Sequence, residues 1–374
     1  MAVNKEAILG LPKTLGLGAV VAMSPENFGY VSESHIITVN LIRPRHGYAV
    51  IPASGEPELV ICSIEKSLAE AESWIKAITT YKEFRDNPID ALTERLKALG
   101  ITGGKVGIDL EYLPKASFDR LAANLPGVEW VDTTQDIARI RAIKTASEVD
   151  RLRTAAQATH RAVLNAMSNS RLGDTEAQMN ARIMEGMLEG GADGILFMCF
   201  ASGDRTDQPH AHATDRKPQP GDIIRFDVGA TWGPWASDFA RTYSAGDPTP
   251  LQRETYRKLR EIQEETIDAI RPGVTAEHLF NVCKDGFEKR QLKFHMPHIG
   301  HSFGLELHES PMLRPGDTTE IVPGMVLNIE PVVLDSEGTG YHTEDLVVVT
   351  DSGVEILTLG LAPKEIPVIG ERVA

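Results

Sequence analysis

A chain of 374 residues, 42% hydrophobic and 24% charged, has ordinary globular composition and room for two domains, which excludes a disordered chain and a single small module. Its 38 basic residues against 53 acidic ones leave a net charge of −15, a surface that repels phosphate backbones and anionic lipid, so no nucleic acid and no membrane is expected as a partner. Cys62, Cys199 and Cys283 are scattered and odd in number. They build no disulfide framework and no Cys-rich zinc site, and they fit a reducing, cytoplasmic setting.

Residues 1–140 read as one α/β domain. Ala19–Met23, His35–Ile42, Tyr48–Ile51, Leu59–Cys62 and Lys105–Ile108 are β-branched runs bounded by Gly, Pro or Ser and are predicted strands. Ile64–Ile78, Ile89–Leu99 and Lys115–Leu125 are predicted helices. Residues 141–374 read as a second domain. It opens on Thr145-Ala-Ser-Glu148, a capping-box spacing, followed by apolar residues at steps of three and four through Ala166. Further helices are predicted from Thr175 to Glu189, from Thr249-Pro250 to Arg271, and from Thr275 through Phe287.

Two hairpins stand between and after these helices. Gly221–Gly229 reads as a strand, Ala230–Trp235 as a turn and Ala236–Ser244 as the return strand. The midpoint of Asp227 and Asp238 falls at 232.5, so a symmetric loop makes them cross-strand neighbours. Downstream, Met325–Val333 and Tyr341–Val349 flank the turn Asp335–Gly340, and the midpoint of Glu330 and Glu344 is 337. A lone acid on a strand usually faces water. Four acids on apolar ladders, paired two by two, repel one another and are costly to bury unless cations neutralise them.

Between the hairpins lie His295, His298, His301 and His308, with Gly300 and Gly304 permitting tight turns around His301. His295 is the least constrained and reads as surface. One imidazole with four carboxylates suits two divalent ions of hard or borderline character, Mn²⁺, Co²⁺, Fe²⁺ or Zn²⁺. Such a pair activates water and polarises a carbonyl. The polar loop Phe200–His212, just ahead of the first hairpin, adds His210.

At these residues the chain resembles the family of Xaa-Pro dipeptidase (prolidase), Xaa-Pro aminopeptidase, methionine aminopeptidase and creatinase. The resemblance covers most of the chain. It implies an α/β (α+β) fold, an N-terminal creatinase-like domain followed by a pita-bread metallopeptidase-type catalytic domain. Ser24–Tyr30 resembles a segment of the first domain, and Ala138–Glu148 resembles the junction. The metal ligands implied are Asp227, Asp238, His301, Glu330 and Glu344. Glu330 is implied as proton acceptor, His308 as the group that stabilises the tetrahedral intermediate or moves a proton, and His210 as a histidine beside the substrate; either His210 or a protonated carboxyl helps the amine leave. His298 is implied as substrate-binding. The resemblance further implies a homodimer and a small peptide or small amide as substrate.

One position departs from the family pattern. Peptidases of this kind carry Arg two residues before the last Glu ligand, where this chain has His342. Spacing of two puts His342 on the face of Glu344, so a substrate pocket both roomier and less cationic is expected. Arg205 or Arg241 filling the role is the alternative. Trp232 and Trp235 in the first hairpin either pack or line an apolar substrate wall. These features keep open a non-peptidase on the same fold, such as an ectoine-hydrolase-like or creatinase-like amide hydrolase or a metal-dependent lyase. A binding protein that lost catalysis is disfavoured by the intact ligand set.

Overall fold

The computed structural model describes residues 4–371, and within them the chain divides between Arg141 and Ala142 into two compact units. In the first, β1 (Ala19–Ala22), β2 (Tyr48–Pro52), β3 (Glu58–Cys62), β4 (Ala77–Tyr81), β5 (Gly104–Ile108) and β6 (Val128–Asp132) form a mixed sheet in the order β4-β3-β2-β1-β5-β6. β1, β2 and β3 are buried at every residue, which is why they read as unbroken apolar runs. The helices are α1 (Lys5–Thr14), α2 (Pro25–Ser32), α3 (Ile37–Leu41), α4 (Lys66–Glu72), α5 (Pro88–Ala98), α6 (Lys115–Asn124) and α7 (Thr134–Ala142).

Two expectations fail here for identifiable reasons. His35–Ile42 is not a strand, because α3 occupies most of it. Ile36 and Val39 are buried while Ile37 and Leu41 are exposed, a helical spacing that β-branched composition masked. The predicted helix Ile64–Ile78 stops at Glu72 and gives way to β4. Ser73 Oγ donates to Ser32 O at 2.6 Å and Trp74 Nε1 to Val31 O at 2.8 Å, so tertiary bonds turn the chain away before the sheet is rejoined.

The second unit begins with α8 (Ala146–Ser168) and α9 (Glu176–Glu189), each carrying a complete capping box. β7 (Gly194–Ser202), β8 (Ile223–Trp232), β9 (Trp235–Ala236) and β10 (Phe239–Ser244) form an antiparallel sheet with β8 at its centre. α10 (Pro250–Asp268) and α11 (Ala276–Lys289) follow. β11 (Gly300–Ser302), β12 (Glu309–Met312), β13 (Val326–Ile329), β16 (Asp345–Val349) and β17 (Val354–Ile356) make a second antiparallel sheet, while β14 (Val332–Leu334) pairs with β15 (Gly340–His342). Each larger sheet is backed by a helix pair. Val163, Met179 and Ile183 pack on Phe226 and Phe239, and Leu259, Leu279 and Phe287 pack on Leu327 and Val347. The other faces of the two sheets are where carboxylates and histidines collect. No described helix is long and apolar enough to cross a membrane.

Candidate metal centre

The first hairpin turns on Gly233 and Pro234. Trp232 faces Trp235, and farther down the ladder Asp227 faces Ala240. The register is therefore centred one residue later than the symmetric reading expects, and Asp238 is not directly opposite Asp227. It stands two residues from Ala240, on the same face, which leaves the two aspartates diagonal neighbours. The cause is Gly233, whose φ of 59° lets two residues close a turn that the sequence assigns to six. In the second hairpin Ile329 faces Asp345 and Val332 faces His342, a register that sets Glu330 across from Glu344.

His301 lies on β11, next to β13, opposite Asn328. Gly300 permits this approach, since a Cβ there would sit 2.0 Å from Asn328 O. His301 Nε2 is 3.2 Å from Glu330 Oε1 and 3.6 Å from Asp238 Oδ2. Ligand atoms of Asp227, Glu344 and His342 all lie within 4.8 Å of one another. The five residues expected as ligands thus face one small volume, with His342 among them.

The electrostatics show what this volume needs. Burial raises the Asp227 carboxyl, and burial together with the Asp227 charge holds Asp238 well above the usual range. Glu344 is likewise well above it, through burial and then Asp238. Burial also works to raise Glu330, but the close approach of the His298, His301 and His342 imidazoles outweighs it and holds Glu330 well below the usual range. His301, resisted by burial, is lifted to about 9 by Glu330 and Asp238. Asp227 Oδ1, Glu330 Oε1, Glu344 Oε2, His301 Nε2, and with them His298 Nδ1 and His342 Nε2, are buried without a hydrogen bond. Buried, mutually repelling, oxygen-rich and unpartnered atoms are the donor set that divalent cations satisfy.

The remaining histidines surround this group. The His308 ring centroid is 4.1 Å from that of His301 and 5.8 Å from that of His298. His308 reaches solvent, and desolvation by its neighbours with the charge of His301 pulls it down to about 4, so it is neutral near pH 7. His210 is exposed on its loop and close enough for its charge to act on His308. His298 Nδ1 lies 3.4 Å from Glu330 Oε1.

Three expectations about the substrate wall are corrected. Arg205 is tied to Glu176, and Arg241 to Asp345 at 2.5 Å and to the Glu344 carbonyl, so both guanidinium groups are committed elsewhere. The place beside His342 is taken by Arg225, whose Nη2 is 3.4 Å from His342 Nδ1, so the pocket is not short of a cation. Trp235 is 6% exposed and packs with Val149, Leu152 and Phe303, a core position rather than a pocket wall. Trp232 packs partly buried against the cluster of Met187, Phe200 and Val228.

Sequence reasoning missed Arg225, Asn328, Lys144 and Glu309. A signal existed for Arg225, which precedes Asp227 by two on one strand and so shares its face. Asn328 Nδ2 donates to Glu344 Oε1, and nothing in its local sequence marks it.

The family model of metallopeptidase family M24 matches residues 150–351, and that of the creatinase/prolidase N-terminal domain matches residues 6–143. The chain is 32% identical over 326 residues to a probable dipeptidase PepE of Mycobacterium tuberculosis (strain ATCC 25618 / H37Rv), covering 86% of this chain and 84% of that one. It is 30% identical over 317 residues to an Xaa-Pro dipeptidase of Pyrococcus furiosus, covering 84% and 88%. Among solved structures, dipeptidase PepE from Mycobacterium ulcerans superposes with a TM-score of 0.86 at 30% identity, covering 97% and 96%. The prolidase from Pyrococcus horikoshii OT3 gives 0.82 at 26%, covering 96% and 98%.

Proposed function

The chain belongs to metallopeptidase family M24, with a creatinase-like N-terminal domain ahead of a pita-bread catalytic domain, and from that premise we propose that it is an Xaa-Pro dipeptidase. It is a metal-dependent hydrolase. The observation that carries the finer reading is the convergence of Asp227, Asp238, His301, Glu330 and Glu344, set on two hairpins and one adjoining strand. We assign these five as ligands of two divalent ions, with Mn²⁺, Co²⁺, Fe²⁺ and Zn²⁺ as candidates.

When bound, such ions supply neutralisation of the carboxylates, polarisation of the scissile carbonyl and a lowered pKa for water. The chain's own groups do the rest. Glu330 accepts the proton that water gives up. His308, neutral and 4.1 Å from the His301 ring, offers an N–H to the developing oxyanion. His210, on the solvent side, delivers a proton to the leaving amine, and His298 contacts the substrate. The non-peptidase alternative drew on the replacement of Arg by His342, and Arg225 removes that reason by restoring a cation beside it. A homodimer is part of this reading, and free thiols at Cys62, Cys199 and Cys283 fit a reducing cytoplasm.

A release assay on Xaa-Pro dipeptides with each cation, run beside small non-peptide amides and a chelator control, tests the reading. A kcat/KM of ~10⁴ M⁻¹s⁻¹ or more on an Xaa-Pro substrate is expected. Turnover of only the non-peptide amides, or activity that survives complete chelation, refutes it.

A further inference from the structure

His342 sits where two roles are chemically open to it. Its Nε2 is buried without a hydrogen bond, 3.7 Å from Glu330 Oε2, and the ring belongs to the group with Asp227 and Glu344 whose ligand atoms fall within 4.8 Å of one another. A bare imidazole nitrogen there would be a sixth protein ligand. A nitrogen carrying hydrogen would be a donor to Glu330 instead.

The rest of the ring decides between them. Arg225 and Thr242 are directly opposite each other on β8 and β10, and both hold His342. Thr242 Oγ1 accepts from the His342 N–H at 2.9 Å and donates to the His342 carbonyl at 2.9 Å, which fixes the main chain. Arg225 Nη2 lies 3.4 Å from Nδ1, and its Nη1 donates to Thr206 O at 3.5 Å. A guanidinium has donors and no acceptor. Nδ1 must therefore accept, and in the neutral ring the hydrogen goes to Nε2. The side chain of Arg225 is itself buried, and among the described residues no carboxylate comes within ion-pair distance of it, so its position is set by these contacts rather than by a partner anion.

We infer that Arg225 is a positioning residue: by donating to His342 Nδ1 it fixes the Nε2–H tautomer, so that His342 presents an N–H toward Glu330 Oε2 and no bare nitrogen to a metal. This rests on the assignment of Glu330 as a ligand made above. The consequence is a site that keeps one nitrogen ligand, His301, and an otherwise all-oxygen set. One oxygen of Glu330 is steered by His342, and the other faces His298 and His301.

The test uses the full chain loaded with Zn²⁺, a diamagnetic ion. In ¹⁵N-histidine-labelled protein, His342 is expected to show Nε2–H and an unprotonated Nδ1. Cation affinities measured by calorimetry should change less than about threefold in His342→Ala and His342→Gln, while His342→Ala lowers kcat by ~10–100-fold, the range for groups just outside the ligands. His342→Gln, whose amide can accept from Arg225 and donate to Glu330, should recover part of that loss. Arg225→Met should lower kcat similarly in the native background and add nothing on top of His342→Ala. A metal-shifted Nε2 signal, or a tenfold weaker cation site in His342→Ala, overturns the inference, as do multiplying effects of Arg225→Met and His342→Ala. If Arg225→Met does not fold, Arg225→Lys and the native His342 spectrum decide it. Glu330→Ala titrated in the same way isolates the parent assignment, since unchanged cation affinity there refutes Glu330 as a ligand whatever His342 does.

Discussion

Lys144 is the buried cation on which the catalytic loop depends most directly. Its Nζ donates to Ser302 Oγ at 2.9 Å and pairs with Glu309 Oε2 at 3.0 Å, with side chains 1% and 4% exposed. The other Glu309 oxygen accepts from Leu305 N at 3.0 Å and Glu306 N at 3.2 Å. The pair therefore ties together both ends of the segment running from His301 to His308, across the irregular register between β11 and β12. Lys144→Met removes one ion-pair partner of the buried Glu309 carboxylate, a loss of up to about 3–5 kcal/mol. Even the lower figure, if it is relieved by letting the loop open, corresponds to ~150-fold in the population of the closed loop, at about 1.4 kcal/mol per tenfold. Turnover should fall by about two orders of magnitude, with cation content retained. It cannot fall further than removal of His308 itself, for which ~10²–10³ is typical of an oxyanion donor. A double-mutant cycle separates this from general damage. In a His308→Ala background, Lys144→Met should cost little more turnover, because the group it positions is gone. Urea unfolding on the same samples gives the global loss independently. Energies for turnover that add to within about 0.5 kcal/mol would show that Lys144 acts independently of His308, and the reasoning would be wrong.

Asp238 is held protonated-side by burial and Asp227, so its folded pKa exceeds its unfolded one and the charge costs stability near neutrality. Asp238→Asn should therefore raise the Tm of chelator-treated protein while it lowers cation stoichiometry and nearly abolishes turnover; a lower chelated Tm would contradict the repulsion argument. His308→Ala should reduce kcat ~10²–10³-fold with both cations still bound, and loss of the cations would reassign it as a ligand. His160 supplies a pH test away from the site. Burial and then the Arg241 charge pull it down to about 2, and its Nδ1 accepts from Leu359 N at 3.3 Å. The unfolded chain binds this proton below about pH 6.5 and the folded chain does not, so its contribution is complete above that pH and is lost as pH falls toward 2. By pH 5 the loss is about 2 kcal/mol. His160→Gln should flatten the acid limb of the urea-stability profile by that amount, and an unchanged limb would show that His160 titrates normally.

Much of the site was legible because its chemistry is carried by residue types that sequence periodicity makes conspicuous. Asp227, Glu330 and Glu344 interrupt apolar ladders where an acid has no reason to be, and the long symmetric turn around residue 337 preserved the register that pairs the last two. The first hairpin was read less well. A turn as short as Gly233-Pro234 depends on one glycine adopting φ 59°, and choosing between a two-residue and a six-residue turn requires knowing where Trp232 and Trp235 pack. The same limit explains α3: exposed Ile37 and Leu41 carry the composition of a strand, and only the burial of Ile36 and Val39 reveals the helix.

What stayed hidden were partners far apart in the chain. Lys144 and Glu309 are 165 residues apart, and Arg225 and His342 are 117 apart. No local pattern sets such distances, because they follow from packing β8 against the strand that carries His342. The departure at His342 was visible in sequence, but its meaning was not. A position that trades a permanent cation for an imidazole looks like a loss of charge until the neighbouring hairpin is seen to supply one. The spacing rule that placed His342 on the face of Glu344 also places Arg225 on the face of Asp227. Applied to both strands at once, it brings a guanidinium and an imidazole toward the same carboxylates from opposite hairpins. The charge near the last ligand is thus a property of two strands together, and a substitution on either one is interpretable only with the other.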